Sequence, residues 1–419
     1  MGKSRRTVIL TVFTVLIVAG GLVADDVVRV GLNYPETGPY SDIGLDQHRA
    51  ALLALEEINT AGGILGKQVE MVSRDSQCDP DVSVSNAASM IQDDGVKMVF
   101  GGASSAVAIS VARVCHSKDI PFFGTLTYST ATTGRNGYHT TFRECYDSWM
   151  AAKAIGDYLN MHLPGKKYFY ITADYTWGWT TEQSVRNFTN TDDEQYHNGI
   201  RTPFPDAADA DFRRALQAAQ KAEPDILVLV LFGNDLTSCI KRVGEMGFGK
   251  EPQIVVPNLT LSMAESVGPK LMEGVIGALP WTWTVPYKFN YPRGQEFVEH
   301  FADHFSRYPS TSGASAYTIL YEYKAAVERA GTFETEAVIK ALENHEYKLL
   351  KDTQRWRDFD HQSIQTVYLV KCKPANEVMK DKYGLDYFEI ISSLPGEMVA
   401  KTYEEWLADR EIAGLRPEL

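Results

Sequence analysis

The sequence is short of basic charge: 41 Lys and Arg face 54 Asp and Glu, a formal net charge of −13. A pI near 5.2 leaves no basic footprint for a phosphate backbone, so no nucleic acid partner is expected. Cysteine is sparse, with five residues at 78, 115, 145, 239 and 372 and no CxxC pair. The histidines are scattered and build no zinc motif with them, so no metal site is expected. G-x-S-x-G, H-E-x-x-H and a strand-borne G-x-G-x-x-G are all missing. The run Gly62-Gly63-Ile64-Leu65-Gly66-Lys67-Gln68 ends in Gly-Lys. It has Ala61 where a phosphate loop needs glycine and Gln68 where it needs a hydroxyl, and reads as a turn into a strand. The chain is therefore not expected to be an enzyme or to hold a cofactor; catalysis would need carboxylates brought together from distant segments.

Long apolar runs are missing too, except at the N-terminus. Lys3, Arg5 and Arg6 precede an apolar stretch from Val8 to Ala19, and small residues lead up to Ala24. This pattern predicts a signal peptide over 1–24, cleaved after Ala24, because the run is shorter than the ~20 residues a span needs. An uncleaved anchor is the alternative. The aliphatic stretch suits the ordinary secretory route better than the twin-arginine one.

What is present is alternation. Val27 to Leu32, Gln68 to Ser73, Val96 to Phe100 and Ile120 to Gly124 read as strands separated by helix-like segments, one of them capped by Asp79 with Pro80 behind it. A second series has strands at Lys167 to Ala173, Asp225 to Leu231 and Gln253 to Pro257. Repeated βα units demand parallel sheets with helices on both faces, so the fold class is α/β, with two doubly wound three-layer lobes. A strand at Val275 to Leu279, two or three helices between Tyr291 and Asn344, and a β segment near Thr366 to Val370 are expected to be shared between the lobes.

In such sheets ligands sit beyond the carboxyl ends of the strands. The first lobe places Gly101-Gly102-Ala103-Ser104-Ser105 and Thr125-Leu126-Thr127-Tyr128-Ser129-Thr130 there, two adjacent hydroxyl clusters suited to a carboxylate. Ser104 could equally serve as a plain helix cap. The second lobe offers Asp174 to Trp179, Phe232-Gly233-Asn234 and Pro257-Asn258, aromatics for an apolar wall with a few orienting polar groups. Trp177 and Trp179 could also be ordinary core.

Three runs carry a resemblance: Gly31-Leu32-Asn33-Tyr34-Pro35-Glu36-Thr37-Gly38-Pro39-Tyr40, Glu56-Glu57-Ile58-Asn59-Thr60-Ala61-Gly62-Gly63-Ile64-Leu65-Gly66 and Asp75-Ser76-Gln77-Cys78-Asp79-Pro80. Together they resemble the opening of periplasmic binding proteins for branched-chain amino acids, amides and urea. The resemblance implies the type I periplasmic-binding fold, two lobes joined by a three-crossover hinge near Cys145, Pro280 and Arg355. It places lobe 1 at 25–145 plus 281–354, and lobe 2 at 146–280 plus 355–419 with a C-terminal extension. It further implies a periplasmic, monomeric receptor that closes on a small amino-acid-like or amide-like ligand and hands it to an ABC permease complex. A ligand sensor without a transport role is the alternative. In the family's pattern the ligand-binding positions fall on Tyr40, Ser104 or Ser105, Thr127, Tyr128, Ser129, Trp177 and Phe232. The departure is Asn258, which stands where the family has an acid for the ligand ammonium; either Asp147 replaces it or the ligand has no ammonium. The family's first-lobe disulfide is broken, since the partner position of Cys78 is Ala103. Helix geometry puts Cys115 about 16 Å from Cys78, and Cys145 with Cys372 is the expected pair.

Overall fold

The computed structural model describes residues 27–205, 207–248 and 251–419, so the expected signal segment lies outside the described residues. They form three sheets. In the first, β1 (Val27–Tyr34), β2 (Gln68–Asp75), β3 (Val99–Gly101), β4 (Phe122–Gly124) and β5 (Thr141–Arg143) run parallel in the order β2-β1-β3-β4-β5. The second repeats that winding with β6 (Tyr168–Ala173), β7 (Gly199–Thr202), β8 (Ile226–Val230), β9 (Gln253–Val256) and β10 (Ile276–Leu279), ordered β7-β6-β8-β9-β10. A small antiparallel sheet of β11 (Glu346–Tyr347), β12 (Gln354–Trp356) and β13 (Ser363–Ile364) follows β10 in the chain, after the helices between 285 and 342. Antiparallel β14 (Val367–Cys372) and β15 (Phe388–Leu394) then extend the second sheet beyond β10.

The sequence explains this arrangement directly. All five residues of β8, Ile-Leu-Val-Leu-Val, are buried, as a strand covered by helices on both faces requires. Asp79 caps the helix Pro80–Gln92 by accepting from Asp81 N and Val82 N at 2.7 and 3.0 Å. The helix Thr311–Ala330 packs along Ser41–Thr60 and so covers the first sheet. β14 and β15 complete the second. The two lobes are thus α/β and doubly wound, as expected.

The lobes are knitted together where the chain crosses between them, by polar groups. Arg143, 1% exposed, donates through Nε to Gln362 Oε1, through Nη1 to the carbonyls of Thr127 and Ser129, and through Nη2 to Thr133 Oγ1 and Asp147 Oδ2. Lys351 Nζ donates to Pro280 O and Gln365 Oε1, both at 2.7 Å, while Gln365 Nε2 donates to Glu144 O. Burial lowers the Lys351 pKa to about 8, opposed by the charges of Asp352 and Glu144.

Two expectations fail. Among the described residues all five cysteines are unpaired and buried, so Cys145 does not bond Cys372. Leu279, at the carboxyl end of β10, pairs with Tyr368, and Ile276 with Lys371. Because β14 runs antiparallel, its end at Cys372 points to the far edge of the sheet, whereas Cys145 sits at the first crossover. The C-terminal helix Tyr403–Ile412, expected as an extension of the second lobe, rests on a first-lobe turn instead. There Trp406 Nε1 donates to Thr133 O at 2.9 Å and Arg410 Nη1 to Gly134 O at 2.9 Å.

Replacing Arg143 by Met should lower stability by about 3–5 kcal/mol in urea unfolding, since Asp147 is left as a buried, uncompensated charge. Adding Asp147→Asn to that variant should recover part of the loss. A thiol reagent should find no reactive cysteine in the native protein and five after denaturation; fewer than five would mean a disulfide forms. Burial drives the thiol pKa values upward, to about 12 for Cys78 and Cys145.

Candidate functional site

Four helices start at the carboxyl edges of the two sheets with no side-chain hydrogen bond at the N-cap. Their N-caps are Tyr40 after β1, Ser104 after β3, Tyr175 after β6 and Phe232 after β8. Three aromatics therefore occupy positions where Ser, Thr, Asp or Asn would normally satisfy the first amides. The aromatics meet across the lobes. Tyr40 OH and Tyr175 OH share a 3.0 Å hydrogen bond, and the Tyr40 ring meets Phe232 edge-on at 5.2 Å. Phe232 touches Trp177 at 5.7 Å and Tyr128 at 6.0 Å, and Tyr128 lies 5.2 Å from Tyr146.

Ser104 and Ser105 are both buried but differ in use. Ser105 Oγ accepts from Ser129 N at 3.1 Å, whereas Ser104 Oγ has no partner among the described residues and does not cap its helix. Tyr128 OH is likewise buried without a hydrogen-bond partner. Thr127 turns its side chain back onto Gly124, where any larger residue would collide with it. Ser129 Oγ reaches across to Thr180 Oγ1 at 3.1 Å.

The acids and amides are placed less openly. Asn258 Oδ1 accepts from Trp177 Nε1 at 3.1 Å, and its Nδ2 donates to Tyr146 OH at 3.3 Å. Asp147 Oδ1 caps its helix through Met150 N at 2.8 Å, and Oδ2 takes Arg143 Nη2 at 3.1 Å. Both of its oxygens are committed. Asp235, in the first turn after Phe232, is the acid that sequence reasoning missed. It is 6% exposed with Oδ2 unpartnered among the described residues, and burial pushes its pKa up to about 7. Its charge is felt at Tyr40 and Tyr175.

The lobes are closed on one another. Asn234 N donates to Pro39 O at 3.2 Å and Ser266 Oγ to Asp42 Oδ2 at 2.9 Å. A recess between them, lined by Tyr40, Gly233 and Ser262, holds only about 10 Å³, about what one water needs. Gly233 has φ of +56°, and a Cβ there would collide with the Tyr40 ring. A larger recess of about 560 Å³ lies at the amino-terminal edge of β8 and β9, away from these loops.

A family profile for periplasmic binding proteins matches residues 27–377. The chain belongs to the periplasmic binding protein family. It is 25% identical over 350 residues to "Leu/Ile/Val-binding protein homolog 1" of Brucella suis, covering 81% of this chain and 88% of that one. A periplasmic binding protein from Burkholderia mallei superposes with TM-score 0.81 at 24% identity, over 91% of this chain and 98% of that one. An R. palustris solute-binding protein in complex with benzoate superposes with TM-score 0.76 at 18% identity, over 88% and 97%. The two lobes are those of the type I periplasmic-binding fold.

Besides Asp235, sequence reasoning passed over Tyr146, Phe204 and Trp281 in this periplasmic binding protein, and took in Tyr175 only as part of the run Asp174 to Trp179. Phe204 stacks on Tyr175 at 4.1 Å, and Trp281 is buried with Nε1 unpartnered among the described residues. The aromatic content of the strand-end loops was the available signal, but it does not say which rings turn inward.

The buried Asp235 should make stability depend on pH. Its folded pKa lies above the unfolded value of about 3.9, so the folded state holds the extra proton and stability falls as pH rises from about 4 to about 7. Asp235→Asn should remove a penalty on the order of 3 kcal/mol above that window. Thermal midpoints should therefore favour the variant at pH 8 and not at pH 4; an equal difference at both would refute the assignment.

Proposed function

We propose that this chain is an exported, periplasmic receptor that closes on a small carboxylate with a flat apolar body and no ammonium group, and delivers it to an ABC importer. The observation that carries this reading is the mismatch of charge at the cleft. The hydroxyls of Ser104 and Tyr128 are buried without partners among the described residues, and the helices that start at Ser105 and Thr176 have no side-chain cap, which leaves donors to receive an anion. Asn258, at the position where the family resemblance implies an acid for a cation, accepts from Trp177 instead, and Asp147 is taken by Arg143. An amide cannot offset an ammonium as a carboxylate would. Tyr40, Trp177 and Phe232 would form the wall against the apolar body, with Ser104, Ser129 and Tyr128 at the carboxylate.

The benzoate complex of the R. palustris relative supports this class of ligand. The Leu/Ile/Val-binding relative favours a second reading, an α-amino acid whose ammonium meets Asp235. A sensor that reports occupancy without transport remains the alternative role; loss of solute uptake on deletion of the chain would argue for transport.

Calorimetry on ligand-stripped protein should show benzoate or 4-hydroxybenzoate binding at least tenfold more tightly than leucine. Ser104→Ala should weaken that binding about tenfold or more, the cost of one hydrogen bond to a charged group. Asn258→Glu should shift preference toward leucine. Submicromolar leucine binding by the unaltered protein, abolished by Asp235→Asn, would replace this reading with the amino-acid one.

A further inference from the structure

His139, Glu343 and His361 come from three separate segments and meet beside β5. His139 precedes that strand, Glu343 is the C-cap of the helix Thr335–Leu342, and His361 lies between β12 and β13. Each offers one ligating atom within 4.8 Å of the others. The segments are far apart in the chain, so no spacing motif could have shown them.

Local structure aims His361 closely. It is 1% exposed, and its ring stacks on Phe142 at 4.0 Å with the planes 1° apart. Its backbone is held at φ +53° and accepts from Arg143 N at 3.1 Å. His361 Nε2 lies 3.1 Å from Glu343 Oε1, and the His139 and His361 rings are 5.8 Å apart. Behind His139, Glu336 Oε2 stands 2.9 Å from Nε2.

We propose that His139, Glu343 and His361 form a binding site for a late first-row divalent cation, with zinc the ion that suits the donors. Two imidazoles and one carboxylate are a zinc ligand set, and imidazole disfavours magnesium and calcium. Ligand atoms about 2.0–2.1 Å from a tetrahedral ion lie about 3.4 Å apart. His361 Nε2 and Glu343 Oε1 are already near that separation. The remaining contraction falls to His139, which is partly exposed and can turn toward the ion. Glu336 is at hand to orient the His139 ring or to serve as a fourth ligand, with water as the other choice.

One feature sets the expected strength. His361 Nδ1 is buried without a partner among the described residues, so a metal-bound ring would lack the usual acceptor for its second nitrogen. Loss of such a partner costs about 10–100-fold in affinity, so the site is expected to bind zinc more weakly than one whose imidazoles are both held at the second nitrogen. The bound ion would fasten the third crossover, through His361, to the loop and helix of the first lobe. None of the three residues belongs to the solute cleft, so the site stands or falls separately from the proposed ligand.

The competing description is two ion pairs, His139 with Glu336 and His361 with Glu343, and no ion. Titrating chelator-treated full-length protein with zinc chloride in a calorimeter, and with cobalt chloride by visible absorption, separates the two. The expected result is one ion per chain, with the strong d–d absorption of a low-coordinate cobalt site. His139→Ala and Glu343→Gln should each weaken binding at least tenfold while the metal-free Tm moves by about 2 °C or less, because both positions are partly exposed. Absence of saturable binding would overturn the proposal. So would binding that is unchanged in both variants, which would place the ion elsewhere.

Discussion

A single buried guanidinium holds the cleft loop, the first crossover and the third crossover in one place. Arg143 cannot shed its charge, so every acceptor around it is needed. Its partners are the carbonyls of Thr127 and Ser129, the Thr133 hydroxyl, Asp147 and Gln362. The loop that presents Tyr128 and Ser129 is therefore shaped from beneath. Asp147 in turn caps the first helix of the second lobe, so one ion pair sets both the hydroxyl cluster and the start of the other lobe. Lys351, Gln365 and Glu144 make the equivalent bonds between the second crossover and the others. A hinge built from directional hydrogen bonds holds its strands in register in a way that apolar packing alone would not.

Much of this was legible in the sequence because it rests on periodicity. The βα alternation, the Asp79-Pro80 start and the strand-end hydroxyls follow from local chemistry, and each lies at the strand end or helix start expected of it. β5 and β7 were not legible. Thr-Phe-Arg and Gly-Ile-Arg-Thr are short, partly polar segments that become strands only by pairing with β4 and β6. β3 shrinks to Val99–Gly101, the stretch that lies opposite β4, although Lys97 N still donates to Arg29 O of β1. The direction of β14 was also out of reach, and that direction is what separates Cys145 from Cys372. Asp235 escaped notice because an acid in a first helical turn ordinarily signals nothing more than a favourable dipole.

The two lobes repeat one winding but divide the chemistry. The first contributes Ser104, Ser105 and Ser129, and the second contributes Trp177, Phe232 and Asn258. Neither half holds the full set of groups proposed to touch the solute, and the aromatic contacts of Tyr40 with Phe232 and Tyr175 form only when the halves meet. Burial of those rings is a favourable term for closure that needs no disulfide, consistent with five unpaired cysteines in the described structure.

Gly233 sets how finely that meeting is balanced. Its backbone stands at φ +56°, and the space a side chain would fill is taken by the Tyr40 ring. A single methyl group at this position would wedge the lobes apart, with no change to any group proposed to touch the solute. Since the apparent dissociation constant equals the intrinsic one divided by the fraction of molecules able to close, retention and release can be tuned from here. Selection could adjust how long the receptor holds its cargo while leaving what it recognises untouched.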